Sequence, residues 1–101
     1  ILEGGNIMNV FRVAAQSPAR ALAGAIAKTL RTHGRVELQA VGAAAVNQAA
    51  KATAIARGFL EQDGLDIVLI PALATVMIDD QEKSAIRFVV EARRRLGMGA
   101  I

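Results

Sequence analysis

The sequence predicts an α/β fold: a two-layer β-α-β-α-β-β sandwich with a four-stranded mixed sheet and two helices on one face. Three observations predict it. Segments 9–15 and 35–41 alternate side chains at a period of two, as strands with one buried face do. Segments 17–34 and 43–60 instead repeat apolar residues every three to four positions, as amphipathic helices do. After residue 64 the pattern is extended again, broken only by short polar turns.

Residues 1–8 read as a flexible leader, since the chain opens without Met and its first Met is Met8. The first strand is "NVFRVAA", with Phe11 and Val13 on one face and Val10, Arg12 and Ala14 on the other. Ser17-Pro18 then opens a helix. The hydroxyl can accept from a free backbone N–H, and proline suits the first helical position. Leu22, Ile26 and Leu30 recur at four-residue spacing, with Ala19, Ala23 and Ala27 beside them. Lys28, Arg31 and His33 sit where the helix dipole favours cations, and Gly34 suits the left-handed exit.

"RVELQAV" is the second strand, with Val36, Leu38 and Ala40 inward and Arg35, Glu37 and Gln39 outward. Strand, helix and strand in such close order imply a right-handed parallel crossover. Gly42 leads into the second helix, over 43–60. Its Ala45, Ala49, Ala52, Ala56 and Leu60 share a broad face that permits close backbone approach, while Asn47 and Lys51 lie opposite.

"EQDG" is a turn. "LDIVLI" is apolar on both faces, which suits a central or partner-covered strand, but Pro71 argues for a bulge, a bend or an edge position before "ATVMI" resumes. "DDQEK" is a polar turn and "SAIRFVVEA" the last strand. The end from Arg93 onward, "RRRLGMGAI", reads as frayed. The domain organisation is thus one domain over 9–95, with a flexible tail at 96–101. The two helices share one sheet face, leaving Arg12, Arg35, Glu37, Gln39 and Arg87 on the other.

Composition narrows the function classes. Hydrophobic residues make up 53% of the 101 positions, too many for a disordered chain. Three phenylalanines are the only aromatics, so the core is aliphatic. With no cysteine, disulfide, thiolate and thiolate-metal chemistry are excluded. No apolar run reaches the roughly 18 residues of a membrane helix, and no signal peptide is visible; the expectation is a cytoplasmic protein without a membrane partner. A net charge of +3 permits a polyanionic partner without establishing one.

No catalytic, cofactor or metal residues emerge. His33 is the only histidine, sits at a helix end, and has no evident nucleophile partner. Asp79, Asp80 and Glu82 crowd a turn whose spacing does not match a calcium loop. "AVGAAAV" has one glycine where a dinucleotide fingerprint needs three. No enzyme activity and no small-molecule substrate are expected.

The candidate sites are basic. At the first helix start, the N–H groups of Ala19 and Arg20 can face a phosphate, with Arg20 one turn in and Arg12 on the preceding strand. Alternatively, Ser17 caps its own helix and Arg20 is solvated. Asn47, Lys51 and Arg57 can likewise meet a phosphate backbone, although Arg57 can pair instead with Glu61. Arg93 to Arg95 form a solvated run that would add salt-sensitive attraction to a polyanion. No aromatic interleaves with these residues, so any nucleic-acid contact is to backbone more than to bases.

The pieces "LQAVGAAAVNQAAKATAIARGF", "IPA" and "EKSAIRFVVE", ordered within a match from Val10 to Arg94, resemble the stage V sporulation protein S family. That family is bacterial, acts in late spore development, and is similar in fold to Alba, an archaeal chromatin and RNA-binding protein that forms dimers. The resemblance implies an Alba-like domain, a DNA or RNA partner, and a homodimer or tetramer. Alba proteins carry lysines just before the proline that opens the first helix; here those positions are Gln16 and Ser17. The Ala-Arg-Gly stretch of Alba is Ala40-Val41-Gly42 here, and further basic positions fall on Ala43 and Asn47. Backbone contacts would then rest on Arg12, Arg20, Lys51, Arg57 and the basic tail. The alternative is a protein-interaction module using Val68, Ile70 or Val89 on the outer strand faces.

Overall fold

The computed structural model describes residues 9–95. The expected leader at 1–8 and tail at 96–101 lie outside the described residues. The elements among the described residues are β1 (Val10–Val13), α1 (Ala19–His33), β2 (Arg35–Ala40), α2 (Ala43–Phe59), β3 (Leu65–Ile78) and β4 (Gln81–Arg94), with a 3-10 turn over Glu61–Asp63. The strands form one mixed sheet in the order β1-β2-β4-β3. β1 and β2 are parallel; β4 is antiparallel to both β2 and β3. Both helices lie on one face of this sheet.

The core follows from side-chain size. α1 buries Ala23, Ile26, Ala27 and Leu30, the stripe its spacing predicts. α2 buries Ala45, Ala49, Ala52 and Ala56, and Leu60 is completely enclosed. Small residues on α2 let it approach α1 and the sheet closely. Thr53 is buried among them, and its Oγ1 donates to the Ala49 carbonyl at 2.8 Å. Val36, Leu38 and Ala40 of β2 and Phe88 and Val90 of β4 complete the layer. Gly34 closes α1 with φ 78°, a backbone state most side chains resist. Its N–H donates to Leu30, and its carbonyl accepts from Ala92 of β4.

Of the alternatives for Pro71 the edge position holds, and neither a break nor a central strand is seen: β3 runs unbroken for 14 residues, with Pro71 opposite Phe88. The strand is at the sheet edge, bonded on one side only, which is where a strand tolerates a missing donor. The polar turn shrinks to Asp79 and Asp80, both with positive φ (52° and 64°), the two-residue turn whose twist matches a hairpin. Finally, Arg93 and Arg94 belong to β4, and Arg95 is anchored. The Arg95 N–H donates to Gly64 at 2.8 Å, and its guanidinium donates to the carbonyl of Leu65 at 3.0 Å.

The β3–β4 hairpin outruns the sheet. β2 meets β4 only as far as Ala40 opposite Ile86, while β3 and β4 stay paired to Ile78 and Gln81. Residues 74–85 therefore project as a two-stranded arm, about 17 Å long at the usual strand rise.

Candidate nucleic-acid interface

Connectivity sets the geometry. β1 and β2 run the same way and each leads into a helix, so α1 and α2 both begin at the carboxyl end of these strands. A direct bond ties the two starts together: Gln48 Nε2 of α2 donates to the Ser17 carbonyl at 2.7 Å. Neither helix has a side-chain cap or an acidic residue in its first turn. Two sets of backbone N–H groups without a partner among the described residues thus lie at one end of the molecule, each carrying the partial positive charge of a helix dipole.

The expected Ser17 cap does not form. Pro18, not Ser17, occupies the N-cap position, and the Ser17 hydroxyl turns backward to accept from the Ala14 N–H at 2.8 Å. The Ser17 N–H in turn donates to Ala14 at 3.0 Å. The residue tightens the loop and leaves the helix donors open. Gly42, with φ 92°, stands at the N-cap of α2 and has no side chain to offer.

The candidate side chains divide into groups. Gln16 is exposed in the loop before α1, and Asn47 and Lys51 are exposed along the first half of α2. Arg20 is the second residue of α1, and its guanidinium carbon lies 5.4 Å from the ring centroid of Phe59, the last residue of α2, a cation–π contact that orients it without removing its charge. Arg12 is on the opposite sheet face, in register with Gln39 and Arg87. Among the described residues, Arg12, Arg20 and Lys51 enter no ion pair.

Arg57 does not join them. It sits in the last turn of α2, at the other end of the molecule, and pairs with Asp66 at the start of β3 instead of with Glu61. The Arg57 guanidinium, helped by the Ile67 N–H, pulls the Asp66 carboxyl down to about 2, against a small opposing effect of burial. The Arg57 pKa rises correspondingly, because Asp66 hydrogen-bonds to it and attracts its charge. Arg31 is similarly held by Asp63 at 2.9 Å. On the outer face Arg87 lies 4.0 Å from Glu37, and Arg35 lies 4.0 Å from Glu91.

Sequence reasoning missed the pairing of the two helix starts, for which the Gly42 entry was the only visible sign. It also missed that the arm leaves from the same end: β4 is antiparallel to β2, so residues before Ile86 extend past Ala40. Val76 and Ile78 of the arm share a cleft of about 360 Å³ with Arg12, Gln39 and Val41. On its other side, Ser84 and Ile86 share a more open cleft of about 580 Å³ with Gly42, Ala43 and Asn47.

Among the described residues there is no cluster of three or more His, Asp or Glu side chains able to hold a metal, and no helix long and apolar enough to cross a membrane. His33 is exposed, with Nδ1 2.8 Å from the Thr32 hydroxyl.

Two comparisons bear on this arrangement. Residues 9–93 match the family model described as Stage V sporulation protein S. Among solved structures, Alba from Thermoplasma volcanium is similar in fold, with a TM-score of 0.58 at 14% identity, over 85% of this chain and 100% of that one.

Proposed function

The chain belongs to the Stage V sporulation protein S family, whose members are non-catalytic regulatory or structural factors, and from that premise we propose that it is a cytoplasmic, sporulation-related regulatory or architectural protein that binds DNA or RNA as a homodimer or tetramer. Binding is mainly to the phosphate backbone. The observation that carries this reading is the pair of uncapped helix starts joined through Gln48 and Ser17, with no carboxylate in either first turn. Helix starts of this kind favour phosphate oxygens. Gln16 and Ser17 border the first of them and Asn47 lies one turn into α2; Arg20 adds charge from the first turn of α1 and Lys51 from the middle of α2. Arg12 contributes from the sheet side. Arg57 is the weakest member of the set, because Asp66 already holds it.

The test is a fluorescence-anisotropy titration of labelled duplex DNA and single-stranded RNA across a salt series. Saturable binding at low salt is expected, with an affinity that falls linearly on a logarithmic salt scale. No saturable binding to either at low salt overturns the reading.

A second reading, a protein-interaction module without a nucleic-acid role, is favoured by the apolar edge of the sheet. Ile70 is 46% exposed and lies in register with Val89, and Val68 is partly exposed beside them. A stable complex lost on Ile70→Asp, in a protein that ignores nucleic acid, would select this reading.

A further inference from the structure

We propose that the outer half of β3 is a docking edge for a second copy of this chain, the two edges pairing antiparallel about a two-fold axis at Thr75. This rests on the self-association in the reading above and is independent of its nucleic-acid part.

The ladder fixes where each backbone group points. The Ala92 N–H donates to Gly34, on the β2 side of β4, and the Arg95 N–H donates to Gly64, on the β3 side. Backbone groups alternate along a strand, so even-numbered β4 residues point to β2 and odd-numbered ones to β3. Phe88 therefore points to β2, and Pro71 opposite it points away from β4 to the free edge. Leu73, Thr75 and Met77 point the same way. Because β3 ends the sheet, their N–H and C=O groups have no strand partner among the described residues.

This edge is unguarded. From Ile67 to Ile78 there is no charged residue, whereas edge strands ordinarily carry charges that discourage pairing. Among the described residues, the exposed large hydrophobics other than Val41 are all on β3, with Leu73 82% and Met77 60% exposed. Beyond the sheet the arm is a two-stranded ribbon, a form that is marginal in water without cover.

The pattern selects its own copy as the cover. Pro71 lacks a donor, so a strand paired along the entire edge leaves an acceptor unmet near its middle. An axis at Thr75 avoids this. Thr75 then lies opposite Thr75 of the second copy and Leu73 opposite Met77, with roughly six backbone hydrogen bonds among these outward-pointing residues. On the other face Ala74 meets Val76 and Ala72 meets Ile78. No charge enters the overlap from either strand, a match that a charged strand does not offer. Length agrees as well. The second copy's turn at Asp79 and Asp80 falls opposite Pro71 and Ile70, just short of Leu69, which packs on the core.

The experiment is sedimentation velocity of the full chain across a concentration series. A dimer is expected for the wild type. Thr75→Pro removes only an N–H that β4 does not use, so it should melt as a folded protein and dimerise about thirtyfold more weakly, through loss of the two central bonds. Leu73→Lys, which leaves the backbone intact, should weaken the dimer too and decides the matter if Thr75→Pro does not fold. Since the chain has no cysteine, Thr75→Cys should oxidise to a disulfide-linked dimer, and Ala54→Cys on α2 should not. A wild-type dimer that Leu73→Lys and a folded Thr75→Pro leave equally tight overturns the docking edge and leaves self-association standing. Cross-linking through Ala54→Cys alone overturns it too, by placing the contact on α2. A wild type that stays monomeric at every concentration overturns both the edge and the self-association it rests on.

Discussion

Arg57 and Asp66 illustrate how a single pair can be both a stability device and a lost binding site. Asp66 accepts from the Arg57 guanidinium and from the Ile67 N–H, and its carboxyl titrates near 2 when folded. In the unfolded chain it titrates near the usual ~3.9. A carboxyl depressed on folding stabilises the native state at pH values above its unfolded pKa. That contribution fades as the pH falls through about 4 and is gone below about 2. Thermal melting of the wild type should therefore drop between those two pH values, and Asp66→Asn should flatten that part of the profile. An unchanged profile in Asp66→Asn would show that the pair does not couple to folding. Ser17 makes the opposite point: its hydroxyl is committed to the Ala14 N–H, and that commitment leaves the α1 donors open.

At the scale of elements, α2 depends on small size. Ala45, Ala49, Ala52 and Ala56 line its inner face, and Ala49, Ala52 and Ala56 are fully enclosed. A larger side chain there has no space without moving a helix or strand. Ala49→Leu should destabilise by about 1–3 kcal/mol, measured by urea unfolding. A neutral result would mean that α2 is not packed as described. The β3–β4 hairpin depends on register instead. Pairing from Leu65 opposite Arg94 to Ile78 opposite Gln81 is continuous, and the positive-φ turn at Asp79 and Asp80 supplies the matching twist. Pro71 withholds one donor from this long edge strand, which also makes it a poorer template for pairing with other chains.

Across the whole molecule, the charges separate by partner. Arg31 and Arg57 pair with Asp63 and Asp66 near the end where α2 finishes, whereas Arg20, in the first turn of α1, and Lys51, midway along α2, have no carboxylate partner among the described residues. Each neutralised phosphate contact contributes about 0.9 to the salt slope on duplex DNA. Arg20→Gln combined with Lys51→Gln should lower that slope by up to about 1.8 while leaving thermal stability nearly unchanged. Arg57→Gln should do the reverse, costing stability at neutral pH with little change in slope. If Arg57→Gln instead removed most of the binding, the assignment of the helix-entry end would be wrong.

Periodicity carried the element order and most of the core, because burial on one side imposes a repeat of 2 or 3.6 that can be read residue by residue. It placed Ala45, Ala49, Ala52, Ala56 and Leu60 together, and Gly34 and Gly42 at the helix boundaries. Partners remote in the chain had no such signature. Nothing in the spacing distinguishes Glu61 from Asp66 as the partner of Arg57, or indicates that Gln48 reaches the Ser17 carbonyl 31 residues away. Those choices, the single unbroken edge strand through Pro71, and the arm's departure from the end where both helices begin were decided by how the strands order themselves in the sheet. A local repeat reports which face of an element is buried; which element covers that face, and what then stands beside it, depends on contacts between segments that the local pattern does not record.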